Sequence, residues 1–224
     1  SAVCACIPRP QSDQATPLSH PANHRRIHTE PCWRQEARFT ASDQPRDTRN
    51  WLLDDGSLTE RLASLGTFRV QRLWQGWQVP LPSEQQLLGQ SMRRLALVRE
   101  VMLLVDEAAV VFARSVFPAS SLTGSLTHLR RLRNSSLGAI LFAHPGMHRS
   151  PFELARVDGS CDYLPAHLHQ ADPAWGRRSR FEIEGKRLMV SEVFLQGFRP
   201  WPLATPIHRT RRGVVDATIV RAKQ

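Results

Sequence analysis

Between Leu95 and Phe117 the chain is almost continuously apolar, yet it carries Arg99, Glu100, Asp106, Glu107 and Arg114. Five charges in such a run rule it out as a membrane span, which needs about 20 predominantly apolar residues. Rich in Val and Leu and broken at Asp106-Glu107, the run reads as two buried strands, Leu95 to Val105 and Ala108 to Phe117. They fold back as a hairpin that Pro118 ends. A hairpin this apolar must lie inside a larger sheet, and the charges that enter with it need partners or a ligand.

Other strand signals flank it. Thr67 to Trp74 alternates, Phe152 to Val157 is a short strand, and Arg178 to Glu184 with Arg187 to Leu195 flank Gly185-Lys186 as a second hairpin. Ser57-Leu58-Thr59-Glu60 has the pattern of a capping box and opens a helix that runs to Gly66. Ser121 to Phe142 reads as helical in two pieces around Asn134-Ser135-Ser136, and Pro80 and Pro82 mark a loop. Strands outnumber helices and the connections suit antiparallel neighbours. The expected class is therefore α+β: a single antiparallel sheet, covered on one face by helices, around an internal ligand pocket. At 224 residues there is enough chain for one well-buried core. Residues 1–46, rich in Pro, Ser, Gln, His and Arg, read as a disordered extension. Residues 47–196 form the folded domain, and residues 197–224 a basic C-terminal tail.

The formal charge of +10 invites a nucleic-acid reading. Against it, Lys186 and Lys223 are the only lysines, and the arginines are scattered apart from Arg209, Arg211 and Arg212. No helix-turn-helix, zinc-finger or RNP pattern is present, and no nucleic-acid partner is expected. No basic, then apolar, then cleavable leader opens the sequence, so a cytoplasmic location is expected, with a monomer as the assembly. Cys4, Cys6, Cys32 and Cys161 are too few for a disulfide framework in a chain of this length. His20, His24, His28 and Cys32 recur every four residues, but Pro21 and Pro31 interrupt any helix that would line them up, and no metal site is expected.

Side chains alternate along a strand, so Arg99 shares a face with Leu95, Leu97, Val101 and Leu103, while Glu192 shares one with Leu188, Val190 and Phe194. Each charge sits in an apolar row. Either the two pair with each other, or these faces are exposed at those points, or the two hold a ligand. An even loop at Asp106-Glu107 would put Arg99 directly opposite Arg114, two cations that repel unless an anion or acid lies between them, with Glu100 and Glu192 as the internal counterions. The first-turn amides at Leu58 and Leu137 could add donors for a carboxylate. There is no G-x-S-x-G, Walker loop, G-x-G-x-x-G or H-E-x-x-H, so neither a cofactor nor a nucleophile is expected.

Taken together, Trp51-Leu52-Leu53 with Gly56-Ser57-Leu58-Thr59 and Leu97-Val98-Arg99-Glu100-Val101 resembles the chorismate pyruvate-lyase family. The likeness continues through Ala113-Arg114-Ser115-Val116-Phe117-Pro118, Ser136-Leu137-Gly138 with Leu141-Phe142, Trp175-Gly176-Arg177-Arg178-Ser179 and Ser191-Glu192-Val193-Phe194-Leu195. The series covers roughly residues 47 to 196. The resemblance implies a cofactor-free lyase that converts chorismate to 4-hydroxybenzoate and pyruvate for ubiquinone biosynthesis. It implies that Arg99 binds the ring carboxylate, that the amides of Leu58 and Leu137 contact the bound acid, and that Glu192 meets the ring hydroxyl, as base or as acceptor. The alternative is a non-catalytic module of the same fold that binds an aromatic carboxylate, as in the effector domains of some transcription regulators. That reading calls for an upstream helix-turn-helix, a pattern absent from residues 1–46.

Overall fold

The computed structural model describes residues 24–91, 93–201 and 215–216. Among them one sheet holds β1 (Arg34–Gln35), β2 (Phe68–Gln78), β3 (Ala96–Val105), β4 (Ala108–Pro118), β5 (His148–Arg149), β6 (Glu153–Val157), β7 (Ala174–Ile183), β8 (Lys186–Phe194) and β9 (Val215–Asp216). Every pairing is antiparallel, in the order β1-β6-β7-β8-β4-β3-β2, with β5 beside β7 and β9. Four helices accompany it: α1 (Arg46–Leu52), α2 (Leu58–Ala63), α3 (Pro82–Leu88) and α4 (Leu137–Ala143). The class is the α+β sheet expected from the sequence.

Two turns set the register, and each corrects an expectation. Asp106 and Glu107 both take positive φ, 48° and 65°, the two-residue turn whose twist suits a hairpin. The Asp106 carboxylate accepts the Thr67 amide at 2.8 Å, which holds this unusual backbone in place. The loop is thus even, as the Arg99–Arg114 pairing required, but a bulge between the Leu103 and Leu104 pairings shifts the ladder by one residue. Arg99 therefore faces Ser115, and Glu100 faces Arg114. The second hairpin turns at Glu184 and Gly185, with φ of 53° and 71°, not at Gly185-Lys186. Arg177 consequently lies directly across from Glu192.

Helix content differs in two places. Pro82 does not mark a loop but opens α3, where a proline in the first turn gives up an N–H that has no intrahelical acceptor anyway. Glu84 reaches back to the Leu81 amide at 2.9 Å, and Gly89, at φ 63°, ends the helix. The first piece of the Ser121–Phe142 stretch is a 3-10 helix, Gly124–Arg131.

Both faces of the sheet are covered. On one, α1, α2 and α4 pack over Val101, Leu103, Ala113 and Phe194 and over a second apolar group around Leu97, Phe117 and Leu188. On the other, α3 puts Leu88 against Ala96, Val98, Val116 and Met189, and Tyr163, Leu164 and Leu168 cover Phe112 and Val193. The expectation of disorder to residue 46 does not hold for residues 24–46. β1 pairs with β6, Trp33 packs beside Tyr163, and Arg25 reaches the buried Glu100 at 2.5 Å. Proline and arginine content hid a segment that is anchored by backbone pairing, by the Arg25–Glu100 ion pair and by the His28 and Thr29 amides, which donate to Asp162. Beyond Leu195, Phe198 and Trp201 pack edge-on against Trp51, so the packed core extends past the expected start of the tail. Residues 1–23, with Cys4, Cys6 and His20, lie outside the described residues, as do Arg209, Arg211 and Arg212.

Candidate active site

Two neighbouring rows of the sheet build the floor of a cavity. One row runs Arg99, Ser115, Val190, Ser179 across β3, β4, β8 and β7; the next runs Val101, Ala113, Glu192, Arg177. Residues two apart on a strand share a face, so both rows point the same way. The residues between the charges are small: Ser115, Ala113 and Val190. They leave room beneath α2 and α4 for a cavity of about 50 Å³. Gly56, Leu58 and Thr59 close it from α2, and Ser136 to Gly138, Leu141 and Phe142 from α4. The two helices touch where a Cβ on Gly138 would fall 2.9 Å from the Thr59 hydroxyl oxygen, so a larger residue there would force that side chain to turn.

All four residues singled out from the sequence, Arg99, Glu192, Leu58 and Leu137, line this one cavity. Ser57 and Ser136 cap α2 and α4 by accepting the Glu60 and Ala139 amides at 3.3 and 3.2 Å. Leu58 and Leu137 thereby become the first residues of their helices, where amides have no intrahelical acceptor. Of the readings open from sequence, the pairing of Arg99 with Glu192 does not occur, and an exposed face does not hold for Arg99. Arg99, 1% exposed, donates to the carbonyls of Arg133 and Ser135 at 3.0 and 2.8 Å, and its Nε has no hydrogen-bond partner. Glu192 instead accepts from Arg177 Nε at 2.6 Å. Arg177 also donates to the Trp51 and Asp54 carbonyls at 2.9 and 2.8 Å, at the C-terminal end of α1, where the helix dipole favours a cation.

A third guanidinium, Arg149, was not singled out from the sequence. It comes from the two-residue β5, donates Nε to Ser179 Oγ at 2.7 Å and stacks on Phe152 and Phe181 at 4.2 and 5.0 Å. Neither Arg99 nor Arg149 forms an ion pair with an acidic side chain among the described residues. Burial, aided by Arg72, pushes the Arg99 pKa down to about 10, and burial, aided by Arg177, pushes Arg149 down to about 9. The cavity wall thus carries three guanidinium groups and one carboxylate; Glu192, then Asp55 and Asp54, offset Arg149 only in part, since its pKa stays lowered.

The opposite face of the same strands shows the contrast. There Arg114 is bound by Glu84 at 2.7 Å and Glu100 at 2.8 Å, Arg25 completes Glu100, and Arg178 pairs with Glu153 at 2.6 Å. Three cations meet three carboxylates and the charges close. On the cavity face they do not, and buried unpaired cations are costly unless a ligand supplies the anions.

Comparison with known proteins identifies the family. The family described as Chorismate lyase matches residues 29–201. The chain belongs to the chorismate lyase family. A relative from Thiobacillus denitrificans, named "Probable chorismate pyruvate-lyase", is 41% identical over 160 residues, covering 69% of this chain and 86% of its own. A protein of the same name from Methylococcus capsulatus is 43% identical over 151 residues, covering 65% and 93%. Among solved structures, the effector domain of PhnF from Mycobacterium smegmatis is 17% identical with a TM-score of 0.47, over 63% of this chain and 89% of that one.

Within this chorismate lyase chain, two of the three buried cavity arginines escaped a role at the sequence level. Arg177 stood in a recognised motif, but a turn at Gly185-Lys186, one residue late, would set Glu192 opposite Ser179 rather than Arg177. Correct placement of Glu184-Gly185 would have found it. Arg149 lies in a strand too short for any alternation to show. Among the described residues no group of three or more His, Cys, Asp or Glu side chains is placed to hold a metal ion. His24, from the spaced His/Cys run, stacks on Trp74 at 3.7 Å.

Proposed function

We propose that this chain eliminates pyruvate from chorismate to give 4-hydroxybenzoate, the aromatic precursor for ubiquinone. The observation that supports it most directly is the cavity's cationic excess: Arg99 and Arg149 are buried without carboxylate partners among the described residues, and chorismate carries two carboxylates. In this reading the ring carboxylate lies on Arg99, whose free Nε and planar fork suit it, with the amides of Leu58 and Leu137 as further donors. The ring spans Ser115, Ala113 and Val190, and its C4 hydroxyl meets Glu192. Arg177 holds one carboxylate oxygen of Glu192 at 2.6 Å, so the other is available to the ligand as an acceptor.

The chemistry needs little more. The ether bond between C3 and the enolpyruvyl oxygen breaks, and C4 loses its hydrogen as a proton. That proton ends on the enolpyruvyl methylene carbon, making the methyl of pyruvate, while the C4–H electron pair closes the aromatic ring. Aromatisation drives the step, leaving the protein to orient the ether and exclude water. Glu192, by accepting from the C4 hydroxyl, fixes the ring face and stabilises the oxygen as the ring becomes phenolic. The test is to incubate the purified chain with chorismate in chelator-containing buffer and follow both products. Formation of 4-hydroxybenzoate and pyruvate in equal amounts is expected; tight binding of 4-hydroxybenzoate with no turnover of chorismate would favour the non-catalytic module.

A further inference from the structure

The two unpaired cations of the cavity occupy opposite ends of it. Arg99 and Ser179 stand in the same row with Ser115 and Val190 between them, three strand spacings or roughly 14 Å apart at about 4.8 Å each. Arg149 is fixed at the Ser179 end by its 2.7 Å bond to that hydroxyl. The same separation appears overhead. Arg99 bonds the Ser135 carbonyl just before α4, whereas Arg149 lies near Phe142 towards its far end, 5.9 Å from that ring. Arg149 is also on Glu192's side of the cavity, because Arg149 and Arg177 stack on the same Phe152 ring, at 4.2 and 4.9 Å.

We propose that Arg149 is the seat of the second carboxylate of the substrate, the one on the enolpyruvyl arm. This rests on the reading of the site as a chorismate lyase. With the ring carboxylate on Arg99 and the C4 hydroxyl at Glu192, the arm on C3 emerges beside the hydroxyl, at the end where Arg149 stands. Ser179 and the Asp55 carbonyl, accepting at 2.7 and 3.3 Å, occupy Nε and one terminal nitrogen and leave the other for the carboxylate. The phenyl faces of Phe142, Phe152 and Phe181 hold the guanidinium while the site is empty, without supplying a full countercharge that the substrate would have to displace. Arg149 is then a specificity determinant. It recognises the group that leaves and is indifferent to the aromatic product, so pyruvate departs from it while 4-hydroxybenzoate stays on Arg99.

Arg149→Met separates the two ligands. Binding of the monoanion 4-hydroxybenzoate should change by less than about threefold, while kcat/KM for the dianion chorismate falls roughly 10- to 100-fold, the effect of losing one charge-assisted bond. Arg149→Lys keeps the charge but not the fork, and should recover part of the chorismate loss with 4-hydroxybenzoate again unchanged. Ser179→Ala, which loosens Arg149 without removing it, should show the same selectivity on a smaller scale, and decides the matter if Arg149→Met fails to fold. Equal losses for both ligands in these variants would overturn the assignment and make Arg149 a structural cation. Undiminished chorismate turnover would overturn it too. Failure of the wild-type chain to turn over chorismate is a different result, and counts against the lyase reading itself.

Discussion

Arg99 and Arg114 are two fully buried arginines on neighbouring strands, 1% and 0% exposed, and the same substitution should affect them in opposite ways. Arg114 lies between Glu84 and Glu100, which hold its pKa well above the usual arginine range against the cost of burial. Arg114→Met strands those carboxylates and should destabilise the fold by about 3–5 kcal/mol. For a chain of this size that is a fall in Tm of about 6–20 °C. Arg99→Met has a different ledger. The depression of Arg99 from its ordinary value to about 10, by burial and by Arg72, corresponds to a cost of about 3 kcal/mol that the substitution relieves. Burying the methionine adds about 1.5–3 kcal/mol. Against these stand two lost bonds to the Arg133 and Ser135 carbonyls, at about 1.5–3 kcal/mol each. The sum is near zero, so Tm of the ligand-free protein should move by no more than about 4 °C, while 4-hydroxybenzoate binding is lost. Thermal melts and ligand titrations on both variants decide it. An Arg99→Met protein destabilised as far as Arg114→Met, yet still binding 4-hydroxybenzoate normally, would refute the reasoning.

Three further outcomes are expected. Glu192→Gln keeps the shape of an acceptor but loses its charge and its ion pair with Arg177, and should lower kcat more than it weakens 4-hydroxybenzoate binding; steady-state kinetics beside a product titration would show the reverse if Glu192 only holds the fold. With pKa values of about 9 and about 10, Arg149 and then Arg99 lose charge in the free protein as pH rises, so kcat/KM for chorismate should fall across that range. Both values lie below arginine's ordinary value, so in the interval between them and that value the unfolded chain binds more protons. The same groups therefore cost the fold stability in full below pH 9, and that cost begins to fall away as pH rises through 9 and 10; a kcat/KM profile flat to pH 10.5 would contradict the assignment. Lastly, a chain beginning at Asp47 lacks β1, Trp33 and Arg25 and leaves Glu100 short of a partner; denaturant melts should show it about 3 kcal/mol or more less stable than one beginning at His24.

Much of the fold and half of the site could be read from the chain alone. Alternation placed Arg99 and Glu192 on apolar faces, capping serines marked Leu58 and Leu137 as first-turn residues, and Asp106-Glu107 and the neighbourhood of Gly185 marked both hairpins. These are local properties: side-chain period, turn conformation and cap chemistry act within a few residues, so sequence order expresses them. Pairing across strands is different, because a shift of one residue changes every partner. The bulge beside Leu104 turned an expected Arg99–Arg114 confrontation into Arg99 against Ser115 and Glu100 against Arg114. The true turn at Glu184-Gly185 gave Glu192 to Arg177. Arg149, a single residue on a two-residue strand, acquires meaning only when β5 lays it beside β7 and over Phe152. Arg25 likewise becomes structural only when it reaches a glutamate 75 residues away. The sequence by itself determined which charges enter the core. Only the tertiary structure decided which of them neutralise one another and which are left without a carboxylate among the described residues, because that balance depends on distances between residues that the chain order leaves far apart.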